Sequence, residues 1–219
     1  MKYKLVCFDL DGTLVDDTIF IWQTLHDHFG TDKDARKEMI EKFLRKEVTY
    51  QQWADHDVVM LKKKGATKDK IITLIKKLKL MRGAKDTVGK LKAQGIKLAV
   101  ISGSLDIVLD TLFPDHPFDD VLINKFEFDN EGNLMGCVAT KYDIEHKATG
   151  LKMIAKREGF DLSECVFVGD NHNDIHVAEI AGLAIAFNSK SETFSEMCDV
   201  VIPNDVQDMR AILPHILGK

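Results

Sequence analysis

The stretch that decides the fold is Val6-Cys7-Phe8-Asp9-Leu10-Asp11-Gly12-Thr13-Leu14. The apolar run over residues 5–8 predicts a short strand buried on both faces, as in a parallel sheet. Asp9 and Asp11 follow where this strand ends, and Gly12 suits the turn that comes next. Ligands of open parallel α/β sheets bind at the carboxyl ends of the strands. The stretch therefore predicts two carboxylates that project into one crevice.

Two neighbouring carboxylates raise each other's pKa unless positive charge compensates them. Later stretches of the sequence supply groups that can hold a phosphate, an ammonium or a metal ion beside them. Residues 97–101 predict a second buried strand, and the Ser102-Gly103 sequence after it can hold a phosphate by hydroxyl and backbone N–H groups. Lys147 opens a helical stretch and can place an ammonium near the crevice. Residues 165–168 predict a third strand that ends in acid at Asp170. Acid-rich strand ends of this kind suit Mg²⁺, which prefers oxygen ligands.

Each of these features also has a purely structural interpretation. Ser102-Gly103 alone is typical of a turn, a lone lysine such as Lys147 is typical of a surface, and Asp170 can cap the following helix. Asp-x-Asp-Gly also opens EF-hand calcium loops. Such a loop needs an acid, a glycine and a glutamate at positions 5, 6 and 12, where this chain has Thr13, Leu14 and Phe20.

Taken together and in order, the motifs resemble those of the haloacid dehalogenase superfamily. They are Asp9-Leu10-Asp11-Gly12-Thr13, then Ser102, then Lys147, then Gly169-Asp170 with Asn173-Asp174. Within the superfamily, the segment 124–136 and the spacing from Lys147 to Asp170 are most similar to the phosphoserine phosphatase-like branch. The resemblance spans nearly the whole chain and implies Mg²⁺-dependent hydrolysis of a small phosphorylated metabolite.

The two aspartates of the first motif divide the chemistry between them. A carboxylate that attacks phosphorus forms an acyl phosphate, which water hydrolyses readily. The resemblance makes Asp9 this nucleophile and Asp11 the general acid and base, a role that needs a pKa raised above about 3.9. It also implies that Mg²⁺ is held by Asp9, the backbone carbonyl of Asp11, and Asp170. The phosphate- and substrate-binding set that it implies is Thr13, Ser102, Gly103, Lys147, Asn173 and Asp174, the last of which orients Lys147.

Residues 18–80 predict an inserted helical cap. Their apolar residues recur at helical spacing, and Thr49 with Gln52 forms a capping box at the start of one helix. The spacing is carried by Ile19, Trp22, Leu25, Phe29, Tyr50, Trp53, Ala54, Val58 and Leu61. We therefore predict a core domain of residues 1–17 and 81–219, with a cap domain of residues 18–80.

The remainder of the chain alternates strands and helices, which predicts an α/β fold with a doubly wound, mostly parallel sheet. The predicted strands are 97–101, 120–124, 165–168, 183–187 and 200–202, with a hairpin of 126–129 and 134–138. The predicted helices are 84–93, 105–113, 147–158, 174–181 and 206–216, and Gly95 is predicted to follow the C-terminus of the first.

The cap should carry the substrate specificity, and here the chain departs from phosphoserine phosphatases. In that branch a glutamate and an arginine hold the ammonium and carboxylate of the substrate, and the matching positions are Thr18 and about Asp57. An aspartate repels a carboxylate, which an arginine binds in bidentate fashion. If Asp57 faces the crevice, it favours a substrate that is a phosphate ester with an amine or hydroxyl group. The alternative is that Asp57 only caps or solvates the edge of its helix. Arg82, at the hinge, is a second candidate to meet a substrate anion.

Composition limits the other classes of function. The chain has 219 residues, a net charge of −5 and 45% hydrophobic residues, which argues against nucleic-acid and anionic-membrane partners. It shows neither a leader pattern nor an apolar run long enough to span a bilayer, so we expect a cytoplasmic protein. The four scattered cysteines are expected to be reduced core thiols: Cys7, Cys137, Cys165 and Cys198.

Other functions use similar groups. A phosphotransferase or mutase would pass the phosphate from the aspartate to a second hydroxyl. A phospho-acceptor switch of the response-regulator type also combines acids, a lysine and a hydroxyl, but the large cap speaks against it. A binding protein without activity is disfavoured because every catalytic position is filled.

Overall fold

The computed structural model describes residues 2–18 and 20–218. The strands are β1 (Leu5–Phe8), β2 (Val15–Asp16), β3 (Lys79–Leu80), β4 (Lys97–Leu105), β5 (Asp120–Phe128), β6 (Leu134–Val138), β7 (Cys165–Gly169), β8 (Leu183–Phe187) and β9 (Val200–Ile202). The helices are α1 (Ile21–Phe29), α2 (Lys33–Leu44), α3 (Tyr50–Lys63), α4 (Lys68–Ile75), α5 (Ala84–Ala93), α6 (Asp106–Leu112), α7 (Lys147–Glu158), α8 (Ile175–Ala178), α9 (Glu192–Met197) and α10 (Leu213–Leu217).

Seven strands form one sheet in the order β6-β5-β4-β1-β7-β8-β9, and only β6 runs antiparallel to its neighbour. The predicted α/β fold is therefore confirmed. At the centre, Phe8 lies in register with Val100 of β4 and with Val168 of β7. The residues that follow β1 and β7, and the last residues of β4, therefore meet at one edge of the sheet.

The core lies on both faces of this sheet. Side chains of β1 alternate, so that Val6 and Phe8 join the larger hydrophobic cluster while Leu5 and Cys7 join a second one with residues of α7. This alternation is the period of two that a strand imposes. Because every residue of β1 is buried, both faces are apolar, as the sequence predicted.

Four helices, α1 to α4, lie between β2 and β3, and we call them the cap. β2 and β3 pair antiparallel, so the chain enters and leaves the cap on a two-stranded ribbon. The predicted capping box at Thr49 is present at the start of α3, and Ile19 lies outside the described residues. The cap rests on the β5–β6 hairpin, where Gln51 Nε2 donates to the Cys137 carbonyl at 2.7 Å and Lys68 N donates to the Gly132 carbonyl at 2.9 Å.

Several boundaries differ from the sequence prediction. Strands predicted over 120–124 and 126–129 form one strand, in which the buried Asn124 side chain donates to the Gly103 carbonyl of β4 and accepts from the Thr140 N–H. The helix predicted over 174–181 is a 3₁₀ turn followed by the short α8. The one predicted over 206–216 becomes a 3₁₀ turn and α10, since Pro214 lacks an N–H and favours a helix start. The prediction missed α9, a helix of 6 residues.

No helix in the described part of the chain combines the length and apolar character needed to cross a bilayer.

All four cysteines are free, and three of them are buried. Burial raises the pKa of the Cys7 thiol well above its usual value, which keeps this residue protonated at the centre of the sheet.

Candidate active site

Asp9 stands directly after the central strand. Its backbone N–H donates to the Val168 carbonyl at 2.9 Å, and the Leu10 N–H donates to its Oδ1 at 2.8 Å. The chain then makes a tight turn in which Gly12 adopts a φ of 77°. A Cβ at this position would overlap the Asp170 carboxylate. Gly12 is therefore required both by its backbone conformation and by the close approach of the two strand ends.

Asp11 is buried and accepts a hydrogen bond on each oxygen. Ser104 Oγ donates to Oδ1 at 2.7 Å, and the backbone N–H of Ile21, the first residue of α1, donates to Oδ2 at 2.7 Å. Burial raises the pKa of Asp11 to about 7, against the opposing effect of these two hydrogen bonds. A carboxyl with this pKa can give up and take back a proton near neutral pH.

Lys147 places its ammonium between two carboxylates. Its side chain is completely buried, with Nζ 3.1 Å from Asp9 Oδ1 and 2.6 Å from Asp174 Oδ1. Burial alone would lower the pKa of Lys147, but Asp174 and Asp9 outweigh it, and the pKa lies above its ordinary value. The lysine is therefore charged, and its location resolves the ambiguity of a lone lysine in the sequence.

Asp170 and Asp174 follow β7 and are not equivalent. Asp174 Oδ2 accepts from the backbone N–H groups of Asp170 and Asn171 at 3.1 and 3.3 Å, so with Lys147 on Oδ1 both of its oxygens are engaged. Asp170 Oδ1 accepts from Thr13 Oγ1 at 3.2 Å, whereas its buried Oδ2 has no partner among the described residues. Burial and the neighbouring Asp9 raise the pKa of Asp170. Asp170 thus presents an oxygen that needs a cation or a proton.

These acids fit a hard divalent cation. Asp9, Asp170 and Asp174 each offer an oxygen, all within 4.8 Å of one another. Because Asp174 is already satisfied, the oxygens with remaining capacity belong to Asp9 and Asp170. An all-oxygen donor set with an unpartnered carboxylate oxygen suits Mg²⁺. The structure thus brings together the two carboxylates that the sequence predicted as metal ligands.

The end of β4 holds three consecutive residues against the acids. Ser104 N donates to Ser102 Oγ at 3.1 Å, while the Gly103 carbonyl accepts from Asn124 Nδ2 at 2.6 Å and from Trp22 Nε1 of α1 at 3.1 Å. A Cβ at Gly103 would overlap Asp143. A small residue is therefore needed where the cap, the hairpin and the acids converge.

Between cap and core lies a cavity of about 360 Å³. The core residues that line it are Asp9, Asp11, Ser102, Gly103, Ser104, Asp143, Ile144, Asp170, Asn171 and Asn173. The cap side is lined by Phe20, Trp22, Gln23, Arg36, Ile40, Tyr50, Trp53, Ala54 and Asp57. The cavity thus has a polar, acidic floor and a largely apolar and aromatic roof, and its size is typical of small-molecule sites.

A family model described as haloacid dehalogenase-like hydrolase matches residues 3–182. The chain belongs to this family. It is 33% identical over 197 residues to a phosphoserine phosphatase of Archaeoglobus fulgidus, covering 90% of this chain but only 55% of that protein. It is 32% identical over 221 residues to a phosphoserine phosphatase of Methanocaldococcus jannaschii, covering 98% of both. A solved substrate-bound phosphoserine phosphatase complex is similar, with a TM-score of 0.77, 30% identity and 99% of both chains covered.

The family resemblance predicted from the motifs is thereby confirmed, and the structure shows where the other predicted site residues lie. Asn173 lines the cavity, and its buried Oδ1 has no described partner. Thr13 is fully buried and contacts Asp170 instead of the cavity. Thr18 shares a hydrogen bond of 2.8 Å with Thr24 and does not line the cavity. Arg82 is 74% exposed, pairs with Asp208 at 3.0 Å and lies outside the cavity, contrary to the expectation that it meets a substrate anion.

Several residues that line the cavity were not predicted from the sequence. Ser104 could have been found from the sequence, because it is a second hydroxyl two residues after Ser102, and both line the cavity. Asp143, whose Oδ2 accepts from Tyr50 at 2.7 Å, follows no strand and belongs to no motif. Arg36 lies on α2 beside an apolar stripe of Ala35, Met39, Ile40 and Phe43, but a charged residue in that position is typical of a solvated helix face.

Proposed function

We propose that the protein is a Mg²⁺-dependent phosphomonoester hydrolase that acts on a small phosphorylated metabolite through an aspartyl phosphate at Asp9. The observation that carries the proposal is the arrangement of the floor. A carboxylate stands beside the buried ammonium of Lys147 at 3.1 Å, and a second carboxyl with a pKa of about 7 lines the same cavity. Relatives named phosphoserine phosphatase support the same reaction type.

The first half-reaction forms a bond between an Asp9 oxygen and phosphorus and breaks the bond from phosphorus to the ester oxygen. Protonated Asp11 gives its proton to the departing alkoxide, so an alcohol leaves. In the second half, Asp11 takes a proton from water, whose oxygen attacks phosphorus. The bond to Asp9 then breaks, which releases inorganic phosphate and restores both carboxyl groups to their starting states.

Positive charge and hydrogen-bond donors must stabilise the phosphoryl oxygens during transfer. In our proposal Lys147 contributes charge from beneath Asp9, held in place by Asp174, while Ser102 Oγ, the Gly103 N–H and Asn173 hold oxygens. Asp9, Asp170 and the Asp11 carbonyl would hold Mg²⁺, which when bound adds charge at the same oxygens. Thr13 acts indirectly, since its hydroxyl orients Asp170.

The cap completes the site by excluding water during transfer. We assign residues 1–17 and 81–219 to the core and residues 18–80 to the cap, with the β2–β3 ribbon as the connection between them. Trp22 and Tyr50 reach from the cap to Gly103, Asn124 and Asp143 of the core. These contacts describe a closed arrangement that has to open for product to leave.

Phosphoserine is not the favoured substrate. Thr18 and Asp57 stand where the resemblance places a glutamate and an arginine, and Thr18 does not line the cavity. The roof offers aromatic side chains in place of an ammonium-binding glutamate. A phosphate ester with a larger alcohol part fits this roof better.

The test is release of inorganic phosphate from a panel of phosphate esters that includes phosphoserine and an aryl phosphate, with Mg²⁺ and with chelator. We expect Asp9→Asn to lower turnover by more than about a thousandfold, because an amide cannot act as the nucleophile. The exposed Asp205→Asn is the matched control and should retain full activity. Full activity of Asp9→Asn would overturn the proposal. Stable labelling of Asp9 by a phosphate donor without hydrolysis would instead favour a phosphotransferase or a phospho-acceptor switch.

A further inference from the structure

A partly buried arginine faces the cavity from the cap. Arg36, on α2, lines the cavity opposite the acidic floor, and its side chain is only 11% exposed. It also lines a second cavity of about 210 Å³, on the α1–α2 side of the cap. Gln23 and Ile40 line both cavities as well. Arg36 therefore lies where the two cavities meet.

Two neighbours hold the guanidinium in place. Arg36 Nε lies 3.5 Å from Asp57 Oδ2, and Gln23 Oε1 accepts from Nη1. The same Asp57 oxygen lies 3.2 Å from His26 Nε2. Oδ2 of Asp57 is thus directed at Arg36 and His26, whereas its buried Oδ1 has no hydrogen-bond partner among the described residues. Because Asp57 also lines the main cavity, the expectation that it binds an amine or hydroxyl of the substrate stays a prediction.

Donors around this point lack acceptors. The indole Nε1 of Trp53 is buried without a hydrogen-bond partner among the described residues, and Arg36 Nε, although it faces Asp57 Oδ2 at 3.5 Å, makes no hydrogen bond with it. Buried donors without acceptors are unfavourable, and in native structures they commonly indicate a missing ligand or water. Because Trp53 also lines the main cavity, an acceptor bound there can serve both side chains.

The second cavity is rich in cations. Lys33 and Lys37 line it together with Arg36, while Asp27, 3.5 Å from Lys33, is the one acidic residue among those that line it. The two lysines are exposed. The region beyond Arg36 therefore favours negative charge, whereas the aromatic residues of the roof carry no charge.

We propose that Arg36 and the Trp53 indole form a subsite for a second anion of the substrate. The inference rests on the proposed function, and it defines the substrate class as phosphomonoesters whose alcohol part carries a carboxylate or a second phosphate beyond an apolar spacer. The phosphoryl group occupies the acidic floor, the spacer lies under the aromatic roof, and the distal anion reaches the guanidinium. Arginine suits this task because its planar fork binds carboxylate and phosphate in bidentate fashion.

Binding of substrate analogues tests the subsite without relying on turnover. Calorimetry with Mg²⁺ would compare unbranched alkylphosphonates with ω-carboxyalkylphosphonates of the same carbon number, over a series of chain lengths. We expect the carboxylate to lower Kd by about tenfold or more at the length that reaches Arg36. An ω-phosphonoalkylphosphonate series distinguishes a second phosphate from a carboxylate.

Variants assign the gain to Arg36. Arg36→Gln should remove the advantage of the carboxylate and leave the Kd of the plain alkylphosphonates unchanged, whereas Arg36→Lys should retain part of it. The double variant Arg36→Gln/Asp57→Asn avoids an unpaired buried carboxylate and should behave like Arg36→Gln. Arg45→Gln is the matched control, since Arg45 caps the same helix and lines neither cavity.

Two results would overturn the subsite. One is equal binding of carboxylated and plain phosphonates at every length, and the other is an advantage that survives both Arg36→Gln and the double variant. Failure of the proposed function has a separate signature, namely the absence of phosphate release from an aryl phosphate by the wild-type protein with Mg²⁺.

Discussion

The floor and the roof of the cavity are built in different ways. Except for Asp143 and Ile144, the floor residues lie at or just after the ends of β1, β4 and β7, whose register places Phe8 beside Val100 and Val168. The roof residues come from helices whose relative placement depends on side-chain packing. On the floor, sequence position fixes where a charge lies. In the roof it does not, since Asp57 stands where an arginine was expected and Arg36, on another helix, brings the cation to the same cavity.

Lys147→Met tests whether the floor depends on a single buried cation, and it should have the largest effect. The substitution removes the ammonium between Asp9 and Asp174 and leaves buried carboxylates without compensation. We expect a loss of about 3–5 kcal/mol in the free energy of unfolding, together with loss of phosphate release. Urea unfolding measures the first quantity. The exposed Lys64→Met is the control, and equal stabilities of the two variants would contradict the prediction.

The acids of the floor also predict how stability changes with pH. Burial raises the pKa of Asp11 to about 7 and also raises the pKa values of Asp170 and Asp174. In the unfolded chain the pKa of an aspartate is about 3.9, so the folded protein binds more protons than the unfolded chain. The stability that these acids contribute is therefore fully present below about pH 4 and is lost as the pH rises through their folded pKa values. Mg²⁺ favours the ionised forms and should counter this loss.

We therefore expect Mg²⁺ to raise the midpoint of thermal unfolding by a few degrees, and by more at about pH 8 than at about pH 5. Scanning calorimetry with Mg²⁺ and with chelator measures the difference. Asp170→Asn removes the carboxylate with the unpartnered oxygen and should abolish the Mg²⁺ effect. A shift of the same size at both pH values would show that these acids do not govern the response.

Ser104→Ala tests the link between the floor and the general acid, with a smaller effect. The variant removes the hydroxyl that donates to Asp11 Oδ1 at 2.7 Å, so the carboxyl is less well oriented toward the leaving group. We expect kcat for alkyl phosphates to fall about tenfold with little change in KM. Aryl phosphates should be affected less, because their leaving groups need no proton. Ser104→Thr keeps the hydroxyl and should restore activity, whereas an equal loss for both substrate types would indicate a purely structural role.

The same contrast explains what the sequence could predict. The bounds of β8, β9 and α7 match the prediction, because both strands are continuous apolar runs and α7 is followed by Gly159 in the left-handed conformation. Asp9, Asp11 and Asp170 were found because each follows such a strand, whereas Asp143 follows none and was missed. Short elements such as β2, β3 and α9 contain too few residues to show a period. Arg36 was missed because a charged residue beside an apolar helix stripe is typical of a solvated face, and only the tertiary packing brings it to Asp57.

Trp22→Phe tests how firmly the roof is joined to the floor, and we expect the smallest effect. The variant removes the indole donor to the Gly103 carbonyl at 3.1 Å but keeps an aromatic ring against Phe126, whose centroid lies 5.4 Å from that of Trp22. Because Asn124 still holds the same carbonyl at 2.6 Å, the floor should keep its geometry and kcat should be nearly unchanged. One hydrogen bond between cap and core favours the closed form by about 1 kcal/mol, so KM should rise severalfold. Leu44→Ala, an exposed residue of the cap that lines neither cavity, is the control and should leave KM unchanged. A fall in kcat without a change in KM would mean that Trp22 acts on the floor itself, and the separation of roof from floor would then fail at Gly103.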